Sequence, residues 1–70
     1  MQMKSVFSSH INAIGYDSGN LQVEFKNGMV AVYQDVPEDV ANNVLNAPSV
    51  GTALNALVKG KYAFGYANNG

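Results

Sequence analysis

The chain has 70 residues, 47% of them hydrophobic and 13% charged, with a formal net charge of −1 and no cysteine. A chain of this length forms one domain of marginal stability, burying only about 60% of the surface its unfolded form exposes. Without cysteine there are no disulfides and no thiolate metal sites, and without a basic excess the usual signature of phosphate-backbone binding is missing.

The first seven residues, Met1 to Phe7, carry Lys4 but no apolar run behind it, so they do not read as a secretory signal. No stretch approaches the ~20 apolar residues of a membrane span. A cytoplasmic protein that does not contact membrane is expected.

Ile11 to Asp17 reads as the first strand, followed by the turn-rich Asp17-Ser18-Gly19-Asn20. A tight loop there pairs Tyr16 with Leu21 and Ile14 with Val23. Leu21, Val23 and Phe25 then alternate with Gln22, Glu24 and Lys26, the period of a half-buried strand. Asn27-Gly28 suits a two-residue type I′ turn, and Met29 to Gln34 returns as a β-branched and aromatic run. With that loop Phe25 faces Val30, Val23 faces Val32 and Leu21 faces Gln34. The apolar face then holds Ile14, Tyr16, Leu21, Val23, Phe25, Val30 and Val32. Ile11, Ala13, Gly15, Gln22, Glu24, Lys26, Met29, Ala31 and Tyr33 fall on the open face.

Two helices can cover the apolar face. The first starts near Pro37, with Asp35 and Glu38 at capping-box spacing and a stripe of Val40, Ala41, Val44 and Leu45. Pro48 ends it. Ser49 is placed to cap the second, whose stripe is Val50, Ala53, Leu54, Leu57 and Val58, with Lys59-Gly60 at its end. Tyr62, Phe64 and Tyr66 alternate in a segment that suits a short C-terminal edge strand or a tail on the body. Residues 67–70 are expected to fray. The expected fold is α+β: a three-stranded antiparallel meander followed by two helices on one face, in the order β-β-β-α-α.

These segments, in this order, resemble the KTSC domain. Ser8-Ser9-His10-Ile11 with Ile14-Gly15-Tyr16-Asp17 is similar to its opening; Leu21 to Phe25 with Asn27-Gly28 is similar to its second strand and turn. Val36-Pro37, Ala47-Pro48-Ser49-Val50-Gly51 and Leu54 to Lys59 with Tyr62 resemble its later motifs. The resemblance spans about residues 5–62 and implies a single domain over 1–70. The family is named for the C-terminus of some lysyl-tRNA synthetases and also occurs as a small free-standing protein in bacteria and phages, which implies the bacterial cytosol. It implies an RNA-binding role. One departure is Ala31-Val32-Tyr33, where the family has two tyrosines.

Candidate binding residues follow from the expected register and from basic–aromatic interleaving. Tyr33 on the open face could stack a base, with Gln22 beside it; the competing account has its ring packing over Gly15. Lys59, Lys61 and Tyr62 interleave charge and aromatic surface. His10, the only histidine, reads as a loop residue, since it lacks partners for a zinc site. Asp17, Asp35, Glu38 and Asp39 read as turn and helix-start residues. No nucleophile–base arrangement and no glycine-rich phosphate loop is present, so neither catalysis, metal nor cofactor is expected.

A non-catalytic module binding RNA, another nucleic acid or a nucleotide is the expected function. The alternative is a phage- or prophage-type module that docks on or inhibits a host protein, with edge-strand addition as the means, or an oligomer that sequesters a small nucleotide. The low charge also makes a homo-oligomer an expectation.

Overall fold

A computed structural model describes residues 3–6 and 9–67. Of the expected fraying of 67–70, residues 68–70 lie outside these residues, while Ala67 is held to the sheet by its N–H, which donates to the Val30 carbonyl at 2.8 Å. The chain forms β1 (Lys4–Ser5), β2 (Ile11–Asp17), β3 (Asn20–Phe25), β4 (Val30–Tyr33), α1 (Glu38–Leu45), α2 (Val50–Leu57) and β5 (Phe64–Tyr66). The class is α+β as expected, but the sheet has five antiparallel strands in the order β1-β2-β3-β4-β5, not three. The meander reading missed β1, which is two residues long and carries no alternation to detect. β5 is the C-terminal edge strand that Tyr62, Phe64 and Tyr66 suggested.

Both hairpin turns differ in kind. Ser18 and Gly19 both take positive φ, 51° and 87°, which is the two-residue type I′ pattern, and Tyr16 pairs with Leu21 as expected. At the second turn only Gly28 has positive φ (92°), while Asn27 does not. The N–H of Gly28 donates to the Phe25 carbonyl at 3.0 Å, and the N–H of Phe25 donates to the Met29 carbonyl at 2.8 Å. The loop is therefore three residues, Lys26-Asn27-Gly28, with the left-handed position on glycine. The Asn27 side-chain oxygen accepts from the Met29 N–H at 2.9 Å and steadies it. This arrangement spares Asn27 the left-handed conformation that a type I′ turn would impose.

One extra loop residue moves all of β4 by one position. Leu21 pairs with Tyr33, Gln22 with Val32, Val23 with Ala31 and Glu24 with Val30. Because strand side chains alternate, this slip exchanges the faces of β4. Tyr33 and Ala31 are buried against the helices, at 2% and 1% exposure, while Val30 and Val32 sit half-buried on the opposite face. The placement of Tyr33 on the open face is thus corrected. Ile11 is corrected too: a bulge at Asn12 pairs Ile11 with Phe25 and Ala13 with Glu24, which turns Ile11 into the core.

The core joins Ile11, Ile14, Leu21, Val23, Ala31 and Tyr33 of the sheet to Ala41, Val44, Val50, Leu54 and Val58 of the helical region. Val40, Leu45, Ala53 and Leu57 complete the two helix stripes from their margins. Asp35 does not cap α1. It takes φ 58° in the turn before it, so Pro37 occupies the N-cap position without a side-chain bond, and no capping box forms. Ser49 does stand at the N-cap of α2, but its hydroxyl donates to the Thr52 hydroxyl at 3.0 Å instead of capping the backbone. Among the described residues no helix is long and apolar enough to cross a membrane.

Candidate functional site: a polar cleft and an aromatic hollow

Three loops meet at one end of the molecule. The β3–β4 loop brings Lys26 and Asn27, the segment before β2 brings Ser9 and His10, and the start of α2 brings Ser49, Gly51 and Thr52. The Lys26 N–H donates to the His10 carbonyl at 2.8 Å, tying the first two together. Between them lies a cleft of about 800 Å³. Ile11, Phe25 and Leu54 give it apolar surface, and Asn55 and Lys59 of the helical side close it.

The charge of this cleft is one-sided. It is lined by Lys26 and Lys59 as well as His10, and by none of the chain's five carboxylates. Two of four lysines thus line one cleft in a chain of net charge −1. The first-turn N–H groups of α2 have no intrahelical acceptors, and the Ser49 hydroxyl makes no capping bond to them. Hydroxyls from Ser9 and Thr52 and amides from Asn27 and Asn55 add neutral donors.

A second, smaller hollow of about 280 Å³ adjoins the first and shares Phe25 and Lys59 with it. The Lys59 ammonium lies 5.9 Å from the Phe25 ring centroid, a cation–π distance. Beyond Lys59 the hollow is aromatic: Tyr33 and Phe64 are 5.1 Å apart between centroids, and Phe64 meets Tyr66 edge-on at 5.5 Å. Burial raises the Tyr33 phenol above its usual pKa, and the neighbouring Tyr66 phenol adds to the effect.

The five residues expected to bind are therefore separated. Lys59 lines both hollows, and Tyr33 forms a buried wall of the aromatic one with Phe64, not a cover for Gly15. Gln22 lies on the opposite sheet face, paired with Gly15 and Val32. Lys61 is exposed after the Gly60 turn, and Tyr62 is half-buried against the core; neither lines a hollow. Sequence reasoning missed Ser9, His10, Lys26, Asn27, Ser49 and Thr52 as a group. Their signal was present, since Ser9-His10, Asn27-Gly28 and Ser49-Val50-Gly51 are motif segments, but nothing in one dimension says that these loops meet. Among the described residues no group of three or more His, Asp or Glu side chains is placed to hold a metal ion.

The family model described as the KTSC domain matches residues 7–62. A protein of Tsukamurella paurometabola is 37% identical over 62 residues, covering 86% of this chain and 92% of that protein. An uncharacterized protein of Stutzerimonas stutzeri is 34% identical over 61 residues, covering 84% and 86%. The crystal structure of a KTSC domain protein from Yersinia pestis superposes with a TM-score of 0.85 at 33% identity, covering 91% of this chain and 93% of that one.

Proposed function

The chain belongs to the KTSC domain family, and on that premise we propose that it is a non-catalytic module whose cleft binds the phosphates of a nucleotide or an RNA strand. The observation that carries this reading is the clustering of Lys26, Lys59 and His10 in one cleft from which every carboxylate is absent. Overall charge argued against a nucleic-acid partner; the local distribution argues for one, because binding responds to the field where the ligand sits. Lysines give flexible point charges, and the α2 first turn adds backbone donors of the kind phosphate accepts. Phe25, with the Lys59 ammonium over its ring, gives the cleft an apolar wall beside those charges.

The test is fluorescence anisotropy with a labelled single-stranded RNA oligonucleotide at low salt, with a free nucleotide and a DNA duplex as competitors. Saturable RNA binding that weakens with salt, with a logarithmic slope of about 0.7 per phosphate contacted, supports the proposal. Competition by the nucleotide alone narrows the ligand to that class. If the folded protein binds none of the three at low salt, the proposal falls.

A further inference from the structure

The two edges of the sheet are not equally protected. β1 is two residues long and carries Lys4, a charge that discourages strand addition. β5 lies at the other edge, in the run Tyr62-Ala63-Phe64-Gly65-Tyr66-Ala67, which contains no charge and no proline. Phe64 and Tyr66 are 49% and 61% exposed, and with Met3 they are the exposed large hydrophobic residues of the described chain.

The register shows which backbone groups of β5 are free. The Gln34 N–H donates to the Ala63 carbonyl and the Ala67 N–H donates to the Val30 carbonyl, both at 2.8 Å. Hydrogen-bonded and non-hydrogen-bonded pairs alternate along an antiparallel ladder. Residues 63, 65 and 67 therefore turn their backbone groups toward β4. Phe64 and Tyr66 turn their N–H and C=O groups outward, away from the sheet, while their side chains share the helix-side face with Tyr33 and Ala31.

We infer that β5 is an interface for a second copy of this chain, paired antiparallel about a two-fold axis through Gly65. In that register the outward groups of Phe64 bond to those of Tyr66 in the second copy, and those of Tyr66 bond to Phe64. Each copy satisfies the other's four free groups, as an isologous interface requires. Phe64 then stands directly opposite Tyr66 on both sides of the axis, an arrangement in which cross-strand aromatic pairs stabilise a sheet. The two glycines meet at the axis as a close, non-hydrogen-bonded pair. The two aromatic hollows come to lie on the same side of one continuous sheet.

The absence of cysteine makes a single-thiol test direct. A Cβ built on Gly65 meets nothing within 4 Å and its φ is not positive, so Gly65→Cys is accommodated. In the proposed pair the Gly65 Cα atoms of the two copies are about 4.5 Å apart, within disulfide range once both carry the substitution. Ala63 is on the same face, but its two copies stand four residues apart along the ladder, roughly 13 Å. Mild oxidation is expected to convert Gly65→Cys into a covalent dimer and to leave Ala63→Cys uncrosslinked. Sedimentation equilibrium of the unmodified protein is expected to show a dimer, with Tyr66→Lys raising the dissociation constant about tenfold or more. A monomer mass at several hundred micromolar, equal crosslinking at both positions, or a dimer indifferent to Tyr66→Lys would each overturn the inference.

Discussion

The Tyr16 hydroxyl donates to the Val36 backbone carbonyl at 2.6 Å, across twenty positions of sequence. The Val36 N–H in turn donates to the Gly19 carbonyl at 2.9 Å, so the segment between β4 and α1 is held at both its polar groups by the β2–β3 hairpin. Val36 is buried at 1% exposure, and its carbonyl loses its partner if the hydroxyl is removed. Tyr16→Phe is expected to cost about 1–2 kcal/mol. Urea denaturation measures it; an unchanged midpoint would show that the bond is not stabilising.

The core leaves little reserve. A 70-residue domain has roughly 4–10 kcal/mol of total stability. Leu54 is 1% exposed at the centre of the α2 stripe, and Leu54→Ala is expected to cost about 2–5 kcal/mol. Circular dichroism should then show a large fall in the melting temperature or an unfolded chain. Leu54→Met, which conserves volume, should cost less than about 1.5 kcal/mol.

The β3–β4 loop depends on one glycine. A side chain at Gly28 would meet nothing within 4 Å, so the cost of Gly28→Ala comes from its φ of 92°. That cost should be about 1–2 kcal/mol. Gly65→Ala, with the same open space and no positive φ, should be close to neutral in the same denaturation series.

Alkaline pH probes the burial of Tyr33. Its native pKa is raised above the ordinary 10.0. Between the unfolded and the native value, the native state keeps a proton that the unfolded chain has lost. The associated stability is therefore complete below about pH 10 and is lost as pH rises through the native value. Denaturation midpoints at about pH 9 and about pH 11 should fall between the two conditions, and Tyr33→Phe should reduce the fall. An equal fall in the variant would assign the effect to other groups.

Within the proposed binding reaction, the two lysines after α2 should behave differently. Lys59 lines both hollows, while Lys61, two positions on, lines neither. Lys59→Ala should reduce the salt slope of RNA binding by about one unit and Lys61→Ala should leave it unchanged. Reversed effects would move the site to the C-terminal segment.

Much of this molecule was legible in one dimension. Period-two alternation placed β3, the turn residues Asp17 to Asn20 placed β2 ahead of it, and the stripes through Val40–Leu45 and Val50–Val58 placed both helices, because burial on one side of a regular backbone leaves its period in the sequence. What only the tertiary structure decided turns on single residues and on distance. Asn27-Gly28 is compatible with a two-residue or a three-residue loop, and one residue of difference carries Tyr33 from the open face into the core. The bulge at Asn12 does the same for Ile11. Ser9-His10, Lys26-Asn27 and Ser49–Thr52 each read as an ordinary turn or cap. They become one polar cleft only because the sheet and α2 bring three loops, far apart along the chain, to the same end of the fold.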